Sequence, residues 1–192
     1  FLAAFGADEV LAYAEGREVV PWRSLATPLL DVSVRGEPGH VALNDVTISQ
    51  GVMTRLIHFR LDVDRLPAAT YRADGVVVST PVGSTAYSLS LGGPILMPDV
   101  RAIVVTPVAP QGLANRPIVL SEHARLRLVV EGRVDELAVV LDGQERIDLG
   151  SGDDIDVALG PDLVRLVPDG YDPFAVLRHK LRWSEGPTLG PG

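Results

Sequence analysis

Residues able to do chemistry concentrate in one stretch, Asp74 to Pro94, which holds Asp74, Ser79, Thr80, Ser84, Thr85, Tyr87 and Ser90 among four glycines and two prolines. Such a set has hydroxyls and one carboxylate for hydrogen bonding and an aromatic ring for stacking, but no thiol and no imidazole. Val76 to Val78 are consecutive β-branched residues and predict a short buried strand. Pro81 and Gly83 then force a tight loop over Ser79 to Gly83. Ser84 or Thr85 suits a helix N-cap, Ala86 to Leu91 the helix, and Gly92-Gly93-Pro94 its stop. A strand feeding a small-residue loop into a helix gathers amides and hydroxyls where an anion is welcome. An ordinary strand-to-helix turn has the same shape, and shape alone leaves both readings open.

Two further places carry polar groups at unusual positions. His40 to Ile48 predicts a strand, with Leu43 and Asp45 on one face and Ala42, Asn44 and Val46 on the other. Asn44-Asp45 seldom sits mid-strand, because both residues prefer turns, so the pair reads first as a bulge or strand end where its side chains bond the backbone. Asp142-Gly143 lies between alternating runs at Leu137–Leu141 and Gln144–Leu149 and predicts a type I′ hairpin turn.

Several chemistries are excluded. There is no Gly-x-x-x-x-Gly-Lys-Ser/Thr loop, and the only lysine is Lys180. His40, His58, His123 and His179 form no His-x-x-x-His pair, and with no Cys a zinc site lacks its usual ligands. No Gly-x-Ser-x-Gly elbow occurs. A net charge of −8 without a Lys/Arg block argues against a general nucleic-acid binder. No run of 18 apolar residues is present to span a membrane as a helix. The absence of Cys is in keeping with a cytoplasmic setting.

The elements that must position these groups are mostly strands. With 46% hydrophobic residues, 19 Gly and 15 Pro in 192 residues, the chain predicts one core built from short strands and turns. Asp8 can cap a short helix closed by Gly16. After Pro28 the period becomes two, with Leu30, Val32 and Val34 inward; Ile57, Phe59, Leu61 and Val63 repeat the pattern, and His58 faces outward. Ile103 to Val105 is a buried strand expected to end at Thr106-Pro107, and Arg116-Pro117 starts the strand Ile118 to Leu120. Leu126, Leu128 and Val130 alternate, and Ile155–Leu159 and Leu163–Val167 supply the last strands. Phe174, Leu177 and Leu181 share one side of a C-terminal helix or turn, and Ser184 to Gly192 reads as a disordered tail.

Asp74-Gly75, Ser79-Thr80-Pro81, Gly83-Ser84-Thr85-Ala86-Tyr87 and Gly92-Gly93-Pro94 closely resemble the signature of the NAD kinases. The resemblance continues at Asn44-Asp45, Thr106-Pro107, Arg116-Pro117, Asp142-Gly143-Gln144 and Phe174 to Trp183, in family order. It implies phosphorylation of the adenosine 2′-hydroxyl of NAD to give NADP, with ATP or polyphosphate as donor and Mg²⁺ on the triphosphate. It further implies an NAD site made of Asn44, Asp45, Asp74, Ser79, Thr80, Gly83, Ser84, Thr85, Ala86, Tyr87, Ser90, Ala109 and Asp142. In that reading Thr85 and Asn44 meet the adenine edge and Asp45 a ribose hydroxyl. Tyr87 stacks, Asp74 serves the nicotinamide side and Ser90 the carboxamide. After the second proline of the Thr106–Pro110 loop many relatives have His-Ser, whereas this chain has Gln111-Gly112, so only the Ala109 backbone is carried over.

The family's Gly-Gly-Asp-Gly loop, which holds the catalytic base, is absent and is expected upstream of Phe1; no catalytic or metal-binding residue is assigned within the chain. The expected fold is mainly β, a two-sheet sandwich of short strands with a brief helix after the Ser-Thr-Pro-x-Gly loop and helical segments at both ends. Residues 1–27 are expected to connect from a preceding domain, 28–170 to form the NAD-binding sandwich, 171–183 to pack back on that domain, and 184–192 to be the tail. Self-association into a dimer or tetramer is also expected. The alternatives are a lipid kinase of the diacylglycerol or sphingosine type and a non-catalytic NAD(P)-binding or assembly module.

Overall fold

The computed structural model describes residues 22–50, 56–112, 115–132, 136–168 and 172–182. The expected helix after Asp8 and the tail from Ser184 lie outside these residues. Two compact units divide the chain, one spanning residues 26–163 and the other residues 2–25 with 164–192.

The strands form two six-stranded sheets. One has the order β2 (Glu37–Ala42), β1 (Trp22–Val34), β12 (Asp154–Pro168), β9 (Leu126–Glu131), β4 (Ile57–Val63), β5 (Leu66–Ala73). The other runs β11 (Glu145–Leu149), β10 (Leu137–Leu141), β3 (Asp45–Gln50), β6 (Gly75–Ser79), β7 (Ala102–Val108), β8 (Ile118–Ser121). Phe59, Leu61, Leu126, Leu128 and Ile155 of the first sheet share one core with Ile48, Val76, Val78, Ile103, Val105 and Val139 of the second. The period-two runs place these residues on one face, as alternation requires of packed sheets. Burying each large side chain contributes roughly 1.5–3 kcal/mol. Phe59 and Tyr71 stack across the β4–β5 pair at 5.1 Å.

Central strand β6 is buried on both faces from Gly75 to Ser79. Its inward face joins the core. Over the outward face, with Val77, lies the segment that follows the strand, where Ser88 Oγ meets Thr106 Oγ1 of β7 at 2.9 Å. The Val76–Val78 run is apolar throughout for this reason.

Four expectations are corrected. His40 to Ile48 is not one strand: β2 ends at Ala42 in one sheet, β3 begins at Asp45 in the other, and Leu43-Asn44 carries the chain between them. Neither Ser84 nor Thr85 caps a helix; Gly83–Thr85 is a 3-10 turn, and after Ala86 the helix α1 spans only Tyr87–Ser90. The two hydroxyls instead donate backward, Ser84 Oγ to the Pro81 carbonyl at 2.6 Å and Thr85 Oγ1 to that of Val82 at 3.2 Å. Strand β7 runs through Pro107 to Val108, because no β8 residue pairs with it beyond Val105 and proline is tolerated at such an edge. The last two strands are one, β12, which passes β1 so closely that a Cβ on Gly160 would sit 2.9 Å from Asp31 Cβ.

In the second unit, α2 (Pro173–Leu181) opens on Asp172, whose carboxylate accepts the Phe174 N–H at 2.8 Å, with proline in the first turn. Leu177 is buried, whereas Phe174 is 46% exposed.

Candidate functional site

Asn44 and Asp74 both occupy points where the chain changes sheets, Asn44 between β2 and β3 and Asp74 between β5 and β6. At such corners the backbone leaves the ladder, and its polar groups need other partners. For Asn44 those partners come from two distant segments.

The first is the loop after β6. The Thr80 hydroxyl donates to the Leu43 carbonyl at 2.7 Å and accepts the Gly83 N–H at 3.0 Å, while Thr80 N–H reaches the Asn44 carbonyl at 2.9 Å. Gly83 passes so close that a Cβ there would lie 1.9 Å from the Asn44 carbonyl oxygen. Only glycine fits. The second is the β10–β11 turn, where Asp142 and Gly143 take φ of +49° and +69° and Gln144 N–H closes on the Leu141 carbonyl at 2.9 Å. Positive φ at both central residues is what a type I′ turn demands. Its Asp142 carboxylate accepts the N–H groups of Leu43 at 2.7 Å, Asn44 at 2.7 Å and Asp45 at 3.1 Å.

Asp45 is 7% exposed. Burial first, then the neighbouring Asp142 carboxylate, raise its carboxyl above the ordinary aspartate range, offset in part by the Thr47 hydroxyl and the Tyr87 backbone N–H. Tyr87, the first residue of α1, is 42% exposed. Ser84 locks the loop internally, its Oγ accepting Leu96 N–H at 2.9 Å. Ser79 Oγ is buried and makes no hydrogen bond. Thr85 is buried; Ala86 is half-buried and Ser90 exposed.

Asp74 stands apart from this group. Asp45 pairs with Ser79 at one end of β6, and Ser49 with Gly75 at the other, about 13 Å away at the strand rise. Asp74 adjoins Gly75, and its N–H bonds the Val108 carbonyl at 2.9 Å. Ala109 follows with φ of +44°, on the wall of a hollow of about 460 Å³ shared with Leu91, Gly92, Pro107, Asn115 and Arg116. The structure thus gathers Asn44, Asp45, Thr80, Gly83 and Asp142 at one end of β6 and sets Asp74 and Ala109 at the other. The Gly83–Gly92 segment begins beside Asn44 and ends in the hollow. Arg116, read from the sequence as a strand start and as part of the resembling Arg116-Pro117 pair but not as a site residue, is an exposed cation on that wall.

A family model described as the ATP-NAD kinase C-terminal domain matches residues 43–168. The NAD kinase of Acidobacterium capsulatum is 49% identical over 147 residues, covering 75% of this chain and 51% of that protein. That of Aromatoleum aromaticum is 40% identical over 197 residues, covering 97% of this chain and 64% of the relative. The chain therefore spans about half to two thirds of the length of these relatives. Among solved structures, yeast NADH kinase complexed with NADH superposes with a TM-score of 0.87 at 26% identity, over 100% of this chain and 58% of that one. An NAD kinase from Archaeoglobus fulgidus in complex with ATP gives 0.72 at 27% identity, over 91% and 65%. The family model and these relatives converge: the chain belongs to the NAD kinase family, of which it carries the C-terminal domain.

Proposed function

We propose that this chain is the NAD-binding half of an enzyme that phosphorylates the adenosine 2′-hydroxyl of NAD with ATP or polyphosphate. The observation that carries the reading is the junction at Asn44-Asp45, held rigidly by Thr80, Gly83 and Asp142 at one end of β6, with Asp74 and Ala109 at the other. A dinucleotide has two nucleoside ends, and two separated polar groups joined by one continuous segment suit it. The adenosine end falls to Asn44, Asp45 and Thr85 with Tyr87 stacking. The nicotinamide end falls to Asp74, Ser90 and the Ala109 backbone. Ser79, Thr80, Gly83, Ser84 and Ala86 shape the loop between. The relatives' names and the NADH and ATP in the two superposed structures support this choice of ligands.

Phosphoryl transfer needs an aligned hydroxyl, a base for its proton and charge stabilisation on the transferring group. Asp45, nearly buried beside Asp142, is suited to orient a ribose hydroxyl. The base belongs to the Gly-Gly-Asp-Gly loop, which the family resemblance sets in a preceding domain. Among the described residues no three His, Asp or Glu side chains meet as a metal-ligand set. A divalent cation enters only with the triphosphate.

The 192-residue chain alone is then expected to make no NADP from NAD, ATP and Mg²⁺, and a protein extended through that loop to turn over. Equal rates from both would refute the division of labour. Light scattering of the extended protein should also give a multiple of one chain's mass; a clean monomer removes the dimer or tetramer from the reading.

A further inference from the structure

The Asp142 carboxylate makes three hydrogen bonds to consecutive backbone N–H groups, those of Leu43, Asn44 and Asp45, across 97 to 99 residues of sequence. An Asp-Gly hairpin turn needs none of them, since the turn is closed by Gln144 N–H to the Leu141 carbonyl. The clasp is reciprocal, because Asp142 N–H donates to the Asp45 carbonyl at 2.9 Å. One oxygen takes two of the amides and the other takes one. Bonds from amides to an ionised acceptor are roughly twice as strong as neutral ones, and they fix geometry. The residues held are those at which the chain changes sheets, where no ladder sets the backbone.

From this we infer that Asp142 is a positioning residue: it acts on the nucleotide through the backbone of Leu43–Asp45, setting the direction of the Asn44 and Asp45 side chains. The inference rests on the dinucleotide reading above and changes the part Asp142 has in it. The carboxylate is spent on the protein's own amides. The price is a second negative charge beside buried Asp45, tolerable because three N–H dipoles face it.

Asp142→Asn isolates the carboxylate, because Asn-Gly suits a type I′ turn as well as Asp-Gly does and leaves the hairpin intact. In ¹H–¹⁵N spectra of the 192-residue chain without ligand, the Leu43, Asn44 and Asp45 amide protons should move upfield in this variant. NADP affinity by calorimetry should fall about tenfold, the loss of one or two charge-assisted bonds' worth of order. Asn44→Ala combined with Asp142→Asn should lose clearly less than the two separate losses added, because both act through one group. Unmoved amide signals, or losses that add in full, overturn the inference in favour of a direct contact between Asp142 and the nucleotide. A wild-type chain that fails to bind NADP overturns the dinucleotide reading instead, and the amide shifts then decide the backbone role by themselves. Should Asp142→Asn not fold, hydrogen exchange of the wild type decides: slow exchange at Leu43 and Asn44 supports the clasp, and open-chain rates there overturn it.

Discussion

Asp45 shows how one residue can be good for a site and poor for the fold. It is nearly buried, and burial followed by the Asp142 charge raises its carboxyl above the ordinary aspartate value. A carboxyl that binds its proton more tightly when folded makes the folded state take up protons at a pH where the unfolded chain has released them. Stability from this group is therefore present below its unfolded value of 3.8 and declines as pH rises through the raised folded value. Above that window the charge is a standing cost. Asp45→Asn should melt higher than wild type near neutral pH, with the advantage shrinking as pH falls through the raised folded value, where the wild-type carboxyl is protonated as well. Thermal melts of both proteins across that range check it. A variant less stable at neutral pH, or an advantage that grows on acidification, contradicts the assignment. Titrating groups not coupled to Asp45, among them Asp156, which is also raised mainly by burial, cancel in the difference between the two proteins.

At the scale of the element, the junction of β2, β3 and β6 depends on close backbone approach. A Cβ on Gly83 would lie 1.9 Å from the Asn44 carbonyl oxygen and 2.6 Å from its Cα, and both are backbone atoms that no rotamer change can move. Gly83→Ala should cost about 3 kcal/mol, the upper end of ordinary overpacking, read as a lower denaturant midpoint with an unchanged slope. An unshifted midpoint would mean that the loop moves freely away from Asn44. Much of this architecture was legible beforehand. Val76–Val78 announced β6 because only a strand covered on both faces is apolar throughout, and Asp142-Gly143 announced its hairpin through the φ values that turn requires. What stayed hidden was long-range. Periodicity carries Val41 smoothly into Ile48 and cannot say that the chain changes sheets at Asn44. Nor can it say that Ser84 and Thr85 turn their hydroxyls back to preceding carbonyls instead of capping a helix.

For the molecule as a whole, the sandwich is a frame that holds two polar groups at a fixed separation along β6. Because Asp45 and Asp74 flank the two ends of that buried strand, the spacing between them is set by the strand and not by a mobile loop. The same view explains why the site could be listed from the sequence yet not divided. Asn44, Thr80 and Asp142 meet only through the strand order β10-β3-β6, whereas Asp74 and Ala109 meet at the far end through the β6–β7 pair. If one dinucleotide spans both, a change at either end must weaken the binding of the whole ligand. Calorimetric titration of NADP into the wild-type chain, Asn44→Ala and Asp74→Asn tests this most directly. The account predicts that the wild type binds and that each variant loses roughly ten- to a hundredfold in affinity, as for bonds to charged groups in a partly buried cleft. Affinity unchanged in both variants would contradict it.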